Sequence, residues 1–460
     1  MGDAYDVAVV GAGTGGYSTA FRAAQLGLRV ALIEVDERLG GTCLLRGCIP
    51  TKALLQSAAV METVERASTW GIKAAGEPDW AKVLEFERSV VDKLVKGVTS
   101  LAAQRGVDVV HGRARLLPGP ALEVDGSAFA ARAVVIATGS RPKLLPGVER
   151  STRILTSDEA LSLDRIPASA IVIGAGAVGL EFASLYRSFG ADVTLLEALP
   201  LLAPLEDEDV SAELARALRK RGIVAAAGAA VSQIRETAAG IEVTYDVDGN
   251  TSAVGAEICL IATGRGPVSD GAGLSEAGVT LDQRGFVVVD DQLRTSVEGV
   301  WAVGDVAATP LQLAHVAFAE GIAVAERIAG LAVPALDYAQ VPRVTYSTPE
   351  IASVGLTEGQ AHERGHDVVI ERLDLRGIGK ANILGEGGSI KVVAQADGGP
   401  VLGVHMIGPH VTDLIAEAML VTAWEATASD VAALIHPHPS LSEGFGEAML
   451  ALAGKPLHSA

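Results

Sequence analysis

Two of the three cysteines, Cys43 and Cys48, lie five positions apart in a glycine-led segment, Gly-Gly-Thr-Cys-Leu-Leu-Arg-Gly-Cys-Ile-Pro-Thr-Lys. In a regular α-helix their Cα atoms would be roughly 8 to 9 Å apart. A disulfide tolerates about 4.4 to 6.8 Å, so a bridge must distort the backbone, which makes the bridge easier to reduce. Because a helix N-terminus also favours the thiolate, the segment predicts a redox-active pair with a lowered thiol pKa.

Two other interpretations of this pair stay open at this point. Buried cysteines are common, so both thiols could be inert packing residues. A metal site is less favoured, because the C-x4-C spacing needs further ligands nearby, and we predict no metal. The remaining cysteine, Cys259, lies in an apolar run and is most simply a packed strand residue.

The N-terminal region carries a dinucleotide-binding fingerprint in the order strand, glycine turn, helix, strand, acid. Gly11 permits the tight turn, Gly13 lets a pyrophosphate approach, and Gly16 lets helix and strand pack. A phosphate would lie at the helix N-terminus, where unpaired N–H groups favour anions. Glu34 would accept hydrogen bonds from a ribose diol.

The same pattern recurs with Gly174, Gly176, Gly179 and Glu197. In both copies the acid follows the first glycine by 23 positions, and a later apolar strand ends in Ala-Thr-Gly. The sequence therefore predicts two dinucleotide-binding domains, the second inserted into the first. Glu197 would repel a 2′-phosphate and no arginine follows it closely, which favours NAD over NADP.

Two further motifs carry candidate chemistry. Asp305 follows Gly304 at the end of a short strand, where it could hold a polyol chain or serve only as a turn residue. Near the C-terminus, His438 and Glu443 have the residue types of a general base and its orienting carboxylate. A metal site through His-x-His and a structural turn are the alternatives for this segment.

Composition restricts the possible partners. The 460 residues carry a net charge of −19, which argues against nucleic acid and anionic membranes. Three cysteines are too few for a secreted disulfide framework, so a reducing, cytoplasmic location is predicted. No signal peptide or bilayer-spanning apolar run is expected.

The chain resembles the flavoprotein disulfide oxidoreductases of pyridine nucleotide class I. The resemblance is carried by the cysteine segment, the two fingerprints, the Gly304-Asp305 pair and the C-terminal segment His-Pro-Ser-Leu-Ser-Glu. The resemblance extends over nearly the whole chain. It implies an α/β fold with two Rossmann-like domains, for FAD and NAD, and a C-terminal α+β dimerisation domain. It also implies that protein-bound dihydrolipoamide is oxidised and that hydride passes to NAD.

The resemblance assigns roles to the motif residues. Cys43 would be the outer thiol that exchanges with the lipoyl sulfur, and Cys48 the inner thiol against the flavin. His438 would deprotonate the substrate dithiol, with Glu443 orienting it. In this family that pair comes from the partner subunit, which implies a homodimer. Lys52 and Glu181 match an ion pair near the flavin, although a solvated lysine and a surface glutamate are the simpler local interpretations.

The resemblance also implies cofactor contacts. For FAD they are Gly11, Gly13, Gly16, Glu34, Gly41, Thr42, Lys52, Gly112, Thr138, Gly139, Ser140, Gly304, Asp305, Leu313, Ala314 and His315. For NAD they are Gly174, Gly176, Gly179, Glu197, Val231 and Gly264.

Four domains are predicted: an FAD domain over 1–145, an NAD domain over 146–265, a central domain over 266–336 and an interface domain over 337–460. The implied partners are a second copy of the chain and the lipoyl domains and E2 core of 2-oxo acid dehydrogenase complexes. The closest rival is a sister enzyme that reduces a small disulfide, a metal ion or a quinone. A non-catalytic flavin-binding scaffold is the rival from another class.

One departure from the family pattern is Leu45-Arg46, where many members carry Asn-Val. We hypothesise that Arg46 favours thiolate formation or steers an acidic lipoyl domain. Ser440 replaces a frequent threonine, and we expect no consequence from it.

Overall fold

The computed structural model describes residues 5–458. Residues 1–4 and 459–460, with which the first predicted domain begins and the last one ends, lie outside the described residues. The strands within the described range, numbered along the chain, are β1 Tyr5–Val10, β2 Val30–Glu34, β3 Asp108–His111, β4 Ala114–Leu117, β5 Ala121–Val124, β6 Ser127–Ile136, β7 Ser140–Pro142, β8 Ile154–Leu155, β9 Ser169–Ile173, β10 Asp192–Leu196, β11 Val224–Ala226, β12 Ala230–Thr237, β13 Gly240–Val247, β14 Asn250–Ala256, β15 Ile258–Ile261, β16 Arg265–Pro267, β17 Val300–Ala302, β18 Arg343–Thr345, β19 Glu350–Gly355, β20 Val368–Asp374, β21 Ser389–Gln395 and β22 Val401–Gly408.

The α-helices of the same range are α1 Thr14–Gln25, α2 Gly41–Arg46, α3 Cys48–Arg66, α4 Trp80–Gln104, α5 Ser157–Ala160, α6 Ala177–Ser188, α7 Glu208–Lys220, α8 Ala314–Ile328, α9 Glu358–Glu363, α10 Gly379–Leu384, α11 Val411–Ala423, α12 Ala428–Ala432 and α13 Ser442–Leu452. The chain divides into two compact units. Unit 1 comprises Met1–Ala53, Ala81–Lys143 and Gly264–Tyr338, and unit 2 comprises Leu54–Trp80, Leu144–Thr263 and Ala339–Ala460.

Unit 1 is built on a sheet in the order β3-β2-β1-β6-β5-β4, with β17 also paired to β6. Strands β1, β2, β3, β6 and β17 pair in parallel, and β4 and β5 extend the sheet antiparallel. The last four residues of β1 are buried, as a central parallel strand covered on both faces requires. Parallel strands end at one edge of the sheet, which is where this fold binds ligands.

Helices α1 and α8 of unit 1 pack unusually closely. A Cβ atom on Gly321 would lie 2.3 Å from the Ser18 Oγ and 2.6 Å from the Gly15 carbonyl oxygen. No side chain fits at position 321 without moving one helix. Glycine at this crossing therefore fixes α8 directly against the helix that follows the first glycine loop.

Unit 2 contains a second parallel sheet, in the order β11-β10-β9-β15-β8, and an antiparallel meander formed by β12, β13 and β14. Helix α6 follows β9 just as α1 follows β1 in unit 1. Cys259 lies in β15 and is fully buried, in agreement with its prediction as a packed strand residue. The predicted repetition of the dinucleotide-binding architecture is confirmed.

The remainder of unit 2 is an antiparallel sheet in the order β18-β19-β22-β21-β20. One core cluster joins side chains of this sheet, such as Met406, to Ile415 of α11 and Phe445 of α13. This is the predicted α+β architecture, and the α/β fold class is confirmed with it. Between residues 5 and 458, no helix combines the length and apolarity needed to cross a bilayer. The boundaries of the four predicted domains stay a prediction.

A buried ammonium group organises one polar cluster in unit 2. The Lys391 side chain is 5% exposed, and its Nζ donates to Asp207 at 2.7 Å, Asp209 at 2.6 Å and Glu358 at 2.7 Å. Burial lowers the pKa of Lys391, but the three carboxylates outweigh it and raise that pKa. Burial likewise raises the pKa of Asp207, whereas the hydrogen bond from Lys391 leaves it below its ordinary value.

We expect Lys391→Met to destabilise unit 2 by about 3 kcal/mol, because it leaves the buried Asp207 carboxylate without its cation. The value lies at the low end for a broken buried pair, since the other two carboxylates are partly exposed. The stabilisation depends on Lys391 being protonated, so it fades as pH rises through the raised lysine pKa; it also fades as pH falls through the lowered pKa of Asp207. Chemical denaturation followed by circular dichroism measures the loss. Arg372→Met, which removes a half-exposed cation from the same cluster, should cost less than about 1 kcal/mol.

Candidate active site

The helix carrying the two cysteines is interrupted between them. Helix α2 ends at Arg46, α3 begins at Cys48, and the intervening Gly47 has φ −149° and ψ −110°. A Cβ on Gly47 would lie 2.9 Å from the Thr42 carbonyl oxygen, so only glycine fits this break. The predicted backbone distortion is present, and Gly47 is the residue that permits it.

The break brings the two sulfurs into contact. The Cys43 thiol hydrogen-bonds to Cys48, and this bond is the largest cause of a raised Cys43 pKa, followed by burial and by the charge of the Cys48 sulfur. Lys52, one turn further along α3, acts in the opposite direction. The expectation of a lowered pKa therefore does not hold for Cys43. Since two adjacent sulfurs cannot both ionise easily, Cys43 keeps the proton and donates it.

Tyr17, one residue after the first glycine loop, also lies within the electrostatic influence of the sulfurs. Burial first, then the charges of Cys43 and Cys48, raise the pKa of Tyr17 to about 12. Its ring packs against Phe21 and Phe318. No sequence pattern pointed to Tyr17, because its position in α1 indicates only a helix that follows the loop.

Arg46 is paired with an acidic side chain. Its guanidinium forms an ion pair with Asp36, and both side chains are partly exposed. Lys52, rather than Arg46, is the cation that lowers the Cys43 pKa. The hypothesis that Arg46 favours the thiolate therefore has no contact to support it. The second hypothesis, that Arg46 steers an acidic partner, stays a hypothesis, and the positive charge of Arg46 is already compensated by Asp36.

The first glycine loop closes around a buried carboxylate. Glu34, 6% exposed, accepts the Ala12 N–H at 2.6 Å and the Val35 N–H at 2.7 Å. Gly11 has a φ of +101°, and a Cβ on Gly16 would overlap the Gly11 carbonyl oxygen at 1.8 Å. Both glycines are therefore required by the backbone itself.

The second loop repeats this geometry. Glu197, 7% exposed, accepts the Ala175 N–H at 2.6 Å and the Leu199 N–H at 2.9 Å. Gly174 has a φ of +107°, and a Cβ on Gly179 would lie 1.8 Å from the Gly174 carbonyl oxygen. The middle glycine, Gly176, has open space where a side chain would stand, which leaves room for a phosphate.

In unit 1, the redox segment meets the first glycine loop. A Cβ on Gly41 would lie 2.5 Å from the Gly13 Cα, so the two backbones touch without side chains between them. Thr42 follows directly in α2. Gly112, at the end of β3, donates its N–H to the Glu34 carbonyl oxygen at 2.9 Å. The cysteines, the first glycine loop and Glu34 therefore belong to one continuous region of unit 1.

Asp305 lies in a short 3-10 turn, Gly304–Val306, directly after β17. Its Oδ2 accepts the Ser140 hydroxyl at 2.6 Å, and the same hydroxyl accepts the Arg265 Nε–H at 2.7 Å. Arg265 was not predicted, although it directly follows the second Ala-Thr-Gly. Because β17 and the strands on either side of β1 are parallel, this turn lies at the same sheet edge as the glycine loop.

Taken together, unit 1 offers a glycine cradle without side chains, a carboxylate for a ribose and a carboxylate at the neighbouring strand end. These features fit a flavin dinucleotide. Unit 2 offers the cradle and the ribose carboxylate alone, which fits a nicotinamide dinucleotide. The other predicted FAD contacts lie in unit 1: Thr138, Gly139, Leu313, Ala314 and His315. Of the other predicted NAD contacts, Val231 lies in unit 2, whereas Gly264 lies in unit 1.

His438 and Glu443 form a hydrogen-bonded pair in unit 2. The His438 Nδ1 lies 2.7 Å from the Glu443 Oε1, and the histidine side chain is 78% exposed. Burial raises the pKa of Glu443, but the Ser440 N–H and His438 together hold it below its ordinary value. With Nδ1 bound to a carboxylate, Nε2 is the nitrogen that can accept a proton.

Lys52 and Glu181 belong to different units, and the predicted ion pair between them stays a prediction. Within unit 2, Glu181 is buried at 3% exposure and accepts the Tyr346 N–H at 3.1 Å. It is therefore a buried helix residue rather than the surface glutamate considered as the simpler interpretation.

The second loop gives a prediction on cofactor preference. If Glu197 accepts the ribose diol of NAD as predicted, Glu197→Ala combined with Leu199→Arg should remove the repulsion of a 2′-phosphate and supply a cation for it. We expect the ratio of kcat/KM for NADPH over NADH to rise at least about tenfold. Steady-state kinetics with both nucleotides measures it, and Leu199→Ala alone is the matched control. An unchanged ratio would contradict the placement of the ribose at Glu197.

Comparison with known proteins agrees with this geometry. Residues 5–321 match the family described as pyridine nucleotide-disulphide oxidoreductase, and residues 341–449 match its dimerisation domain. Dihydrolipoyl dehydrogenase of Bacillus subtilis is 43% identical over 100% of both chains. Dihydrolipoyl dehydrogenase of Thermus scotoductus is 41% identical over 99% of this chain and 98% of its own.

Solved structures give the same result. LpdA from Mycobacterium tuberculosis superimposes with a TM-score of 0.89 at 27% identity, over 97% of this chain and 99% of its own. The HOCl-induced flavoprotein disulfide reductase RclA from Escherichia coli, as its Cu(II) complex, has a TM-score of 0.87 at 28% identity, over 98% and 100%. Sequence match, fold and paired cysteines agree, and the chain belongs to the pyridine nucleotide-disulphide oxidoreductase family.

Proposed function

We propose that this chain is a dihydrolipoyl dehydrogenase that oxidises protein-bound dihydrolipoamide and transfers hydride to NAD. The observation that carries the proposal is the contact between Cys43 and Cys48 across the Gly47 break, in a segment that touches the first glycine loop. Relatives of that name that align over the full chain at 41% and 43% identity support the choice of substrate.

FAD would be held in unit 1 by the first glycine loop, Glu34 and Asp305, and NAD in unit 2 by the second loop and Glu197. When bound, FAD supplies two-electron transfer between the cysteine pair and the nicotinamide. The protein keeps Lys52 close to the sulfurs, where its charge favours a thiolate.

In the proposed sequence, His438 Nε2 accepts a proton from one thiol of dihydrolipoamide. The resulting thiolate attacks the Cys43 sulfur of an oxidised Cys43–Cys48 bridge, which breaks that bridge and releases Cys48 as a thiolate. The second substrate thiol then attacks the substrate sulfur of the mixed disulfide, which breaks the bond to Cys43; its proton ends on Cys43, which leaves as a thiol. Lipoamide leaves as a disulfide, and the two electrons it lost now reside on the cysteine pair.

The functional form is proposed to be a homodimer in which His438 and Glu443 serve the partner's cysteines. The dimerisation-domain match and the exposed imidazole support this. Large apolar side chains of unit 2 also stand exposed, among them Trp424 at 74% and Ile435 at 98%, and a partner subunit would cover such side chains.

We propose lipoyl domains and the E2 core of 2-oxo acid dehydrogenase complexes as further partners, and a cytoplasmic location. The three cysteines and the net charge of −19 support a reducing compartment without nucleic acid or anionic membranes as partners. A disulfide or metal-ion reductase is the second candidate, because RclA shares the fold and was solved as a Cu(II) complex. The higher identity to dihydrolipoyl dehydrogenases favours the first proposal.

The test is a spectrum and a steady-state assay of the purified protein. We expect flavin absorbance, a new long-wavelength band on two-electron reduction, and NAD reduction that depends on dihydrolipoamide. If NADH-dependent reduction of Cu(II) or of small disulfides were faster than the lipoamide reaction, the second candidate would replace the first.

A further inference from the structure

Glu320 is a carboxylate without accessible surface that lies directly behind the Asp305 turn of unit 1. Its Oε2 accepts the Gly304 N–H at 2.6 Å, and its Oε1 accepts the Tyr338 hydroxyl at 2.8 Å. The Thr309 hydroxyl also bonds to it. Burial and the nearby Asp305 charge raise the pKa of Glu320, whereas its hydrogen-bond donors lower it. Burying a carboxylate completely is costly unless several hydrogen-bond donors bind its oxygens, as they do here.

The helix that carries Glu320 has a fixed position relative to the first glycine loop. The next residue, Gly321, packs so closely on Gly15, Ser18 and Thr19 that no Cβ fits between α8 and α1. Glu320 therefore cannot shift along α1 without opening this contact. The N-terminus of α1, where a pyrophosphate would bind, and the Asp305 turn are thus connected through one side chain.

We propose that Glu320 is a positioning residue for the flavin, which sets where Asp305 presents its carboxylate to the ribityl chain. The inference rests on the proposed FAD site in unit 1. Ser140 occupies the Oδ2 atom of Asp305, so the turn offers Oδ1 to a ligand. Glu320 holds the turn's backbone at the Gly304 N–H, and Gln312 holds it at the Asp305 carbonyl oxygen at 3.2 Å. Glu320 itself does not touch the reacting atoms.

A carboxylate suits this place better than an amide. Three donors converge on Glu320, from Gly304, Tyr338 and Thr309. Glutamine has the same shape but only one acceptor oxygen, so if that oxygen keeps the Gly304 N–H, the NH2 group faces the Tyr338 hydroxyl, which can accept it only by turning its own proton away. Glu320→Gln then takes the present acceptor from a buried hydroxyl proton or displaces the turn.

The experiment compares FAD binding by three variants, with flavin fluorescence read during titration of the apoprotein. We expect Glu320→Gln to weaken FAD binding at least about tenfold, and Tyr338→Phe about threefold, because the latter removes one donor and leaves the carboxylate on Gly304. The matched control is Glu326→Gln, which breaks the α8–α1 ion pair with Arg22 at 2.5 Å but does not touch the turn, and should stay within about twofold.

A second readout separates positioning from general stability. If Glu320 acts on the flavin, Glu320→Gln narrows the difference in melting temperature between protein with and without FAD. A purely structural role would lower both temperatures equally and would overturn the inference. The inference would also be overturned if Glu320→Gln bound FAD as tightly as the wild type. If Glu320→Gln fails to fold, Tyr338→Phe takes its place, and wild-type FAD affinity in that variant would overturn the inference. Failure of the wild-type apoprotein to bind FAD would instead contradict the proposed function.

Discussion

Cys43→Ser should lower dihydrolipoamide-dependent NAD reduction at least about a thousandfold, because a hydroxyl can neither form the bridge to Cys48 nor accept attack by a substrate thiolate. The flavin site does not depend on this sulfur, so FAD content should stay at the wild-type level. Oxidation of NADH by an artificial electron acceptor should likewise persist, since that reaction bypasses the cysteines. Stopped-flow and steady-state assays measure the two activities, dihydrolipoamide oxidation with NAD as acceptor and NADH oxidation with the artificial acceptor.

The matched control is Cys259→Ala, which removes the third sulfur. Cys259 is fully buried in β15, and burial raises the pKa of its thiol to about 12, so it is unreactive at neutral pH. This variant should keep wild-type turnover. Retention of more than about a tenth of the lipoamide activity in Cys43→Ser would contradict the proposed exchange step.

His438→Gln should lower the same reaction about 10²- to 10⁴-fold at neutral pH, because no group then accepts the substrate proton. The loss should shrink as pH rises, since a free thiol with a pKa near about 8.5 ionises without help and its thiolate fraction grows about tenfold per pH unit below that value. In the wild type, the acid limb of the profile should not report Glu443, whose pKa lies below its ordinary value.

His436→Gln is the control for this histidine. The His436 Nε2 lies 2.8 Å from the Glu417 Oε1, and a glutamine amide can keep a donor to that carboxylate. Its pH profile should match that of the wild type. A His438→Gln protein whose rate loss is the same at every pH would argue that the imidazole positions the segment without accepting a proton.

The nucleotide loops and the cysteine segment were predictable because their constraints are local. Gly11 and Gly174 adopt positive φ within a few residues of the strands that precede them, and Glu34 and Glu197 bond to their own loops. A sequence pattern records such short-range requirements directly. The exact place of the helix break was less evident, because the need for glycine at position 47 arises from the contact that a Cβ would make with the Thr42 carbonyl oxygen.

The polar groups buried by distant packing were not predictable. Lys391 pairs with Asp207 across 184 positions of sequence, and no periodicity announces that a lysine in β21 will be buried. Glu320 reads as an ordinary helix glutamate until α8 is placed against α1. The Cys43 pKa also depended on tertiary geometry, because sulfur contact outweighed the helix terminus that the sequence suggested. The direction of such a pKa shift depends on neighbouring charged and hydrogen-bonding groups, and only the fold brings those groups together.

The two glycine loops have nearly the same geometry. In each loop a backbone N–H, of Ala12 or of Ala175, donates to the glutamate Oε2 at 2.6 Å. Each loop can therefore recognise only the half that both cofactors share, adenosine diphosphate. Under the proposed assignment, discrimination between them must come from the other half, which in unit 1 would meet Asp305 and the cysteine segment. Free adenosine diphosphate should accordingly compete with NAD during turnover and with FAD when the apoprotein is reconstituted.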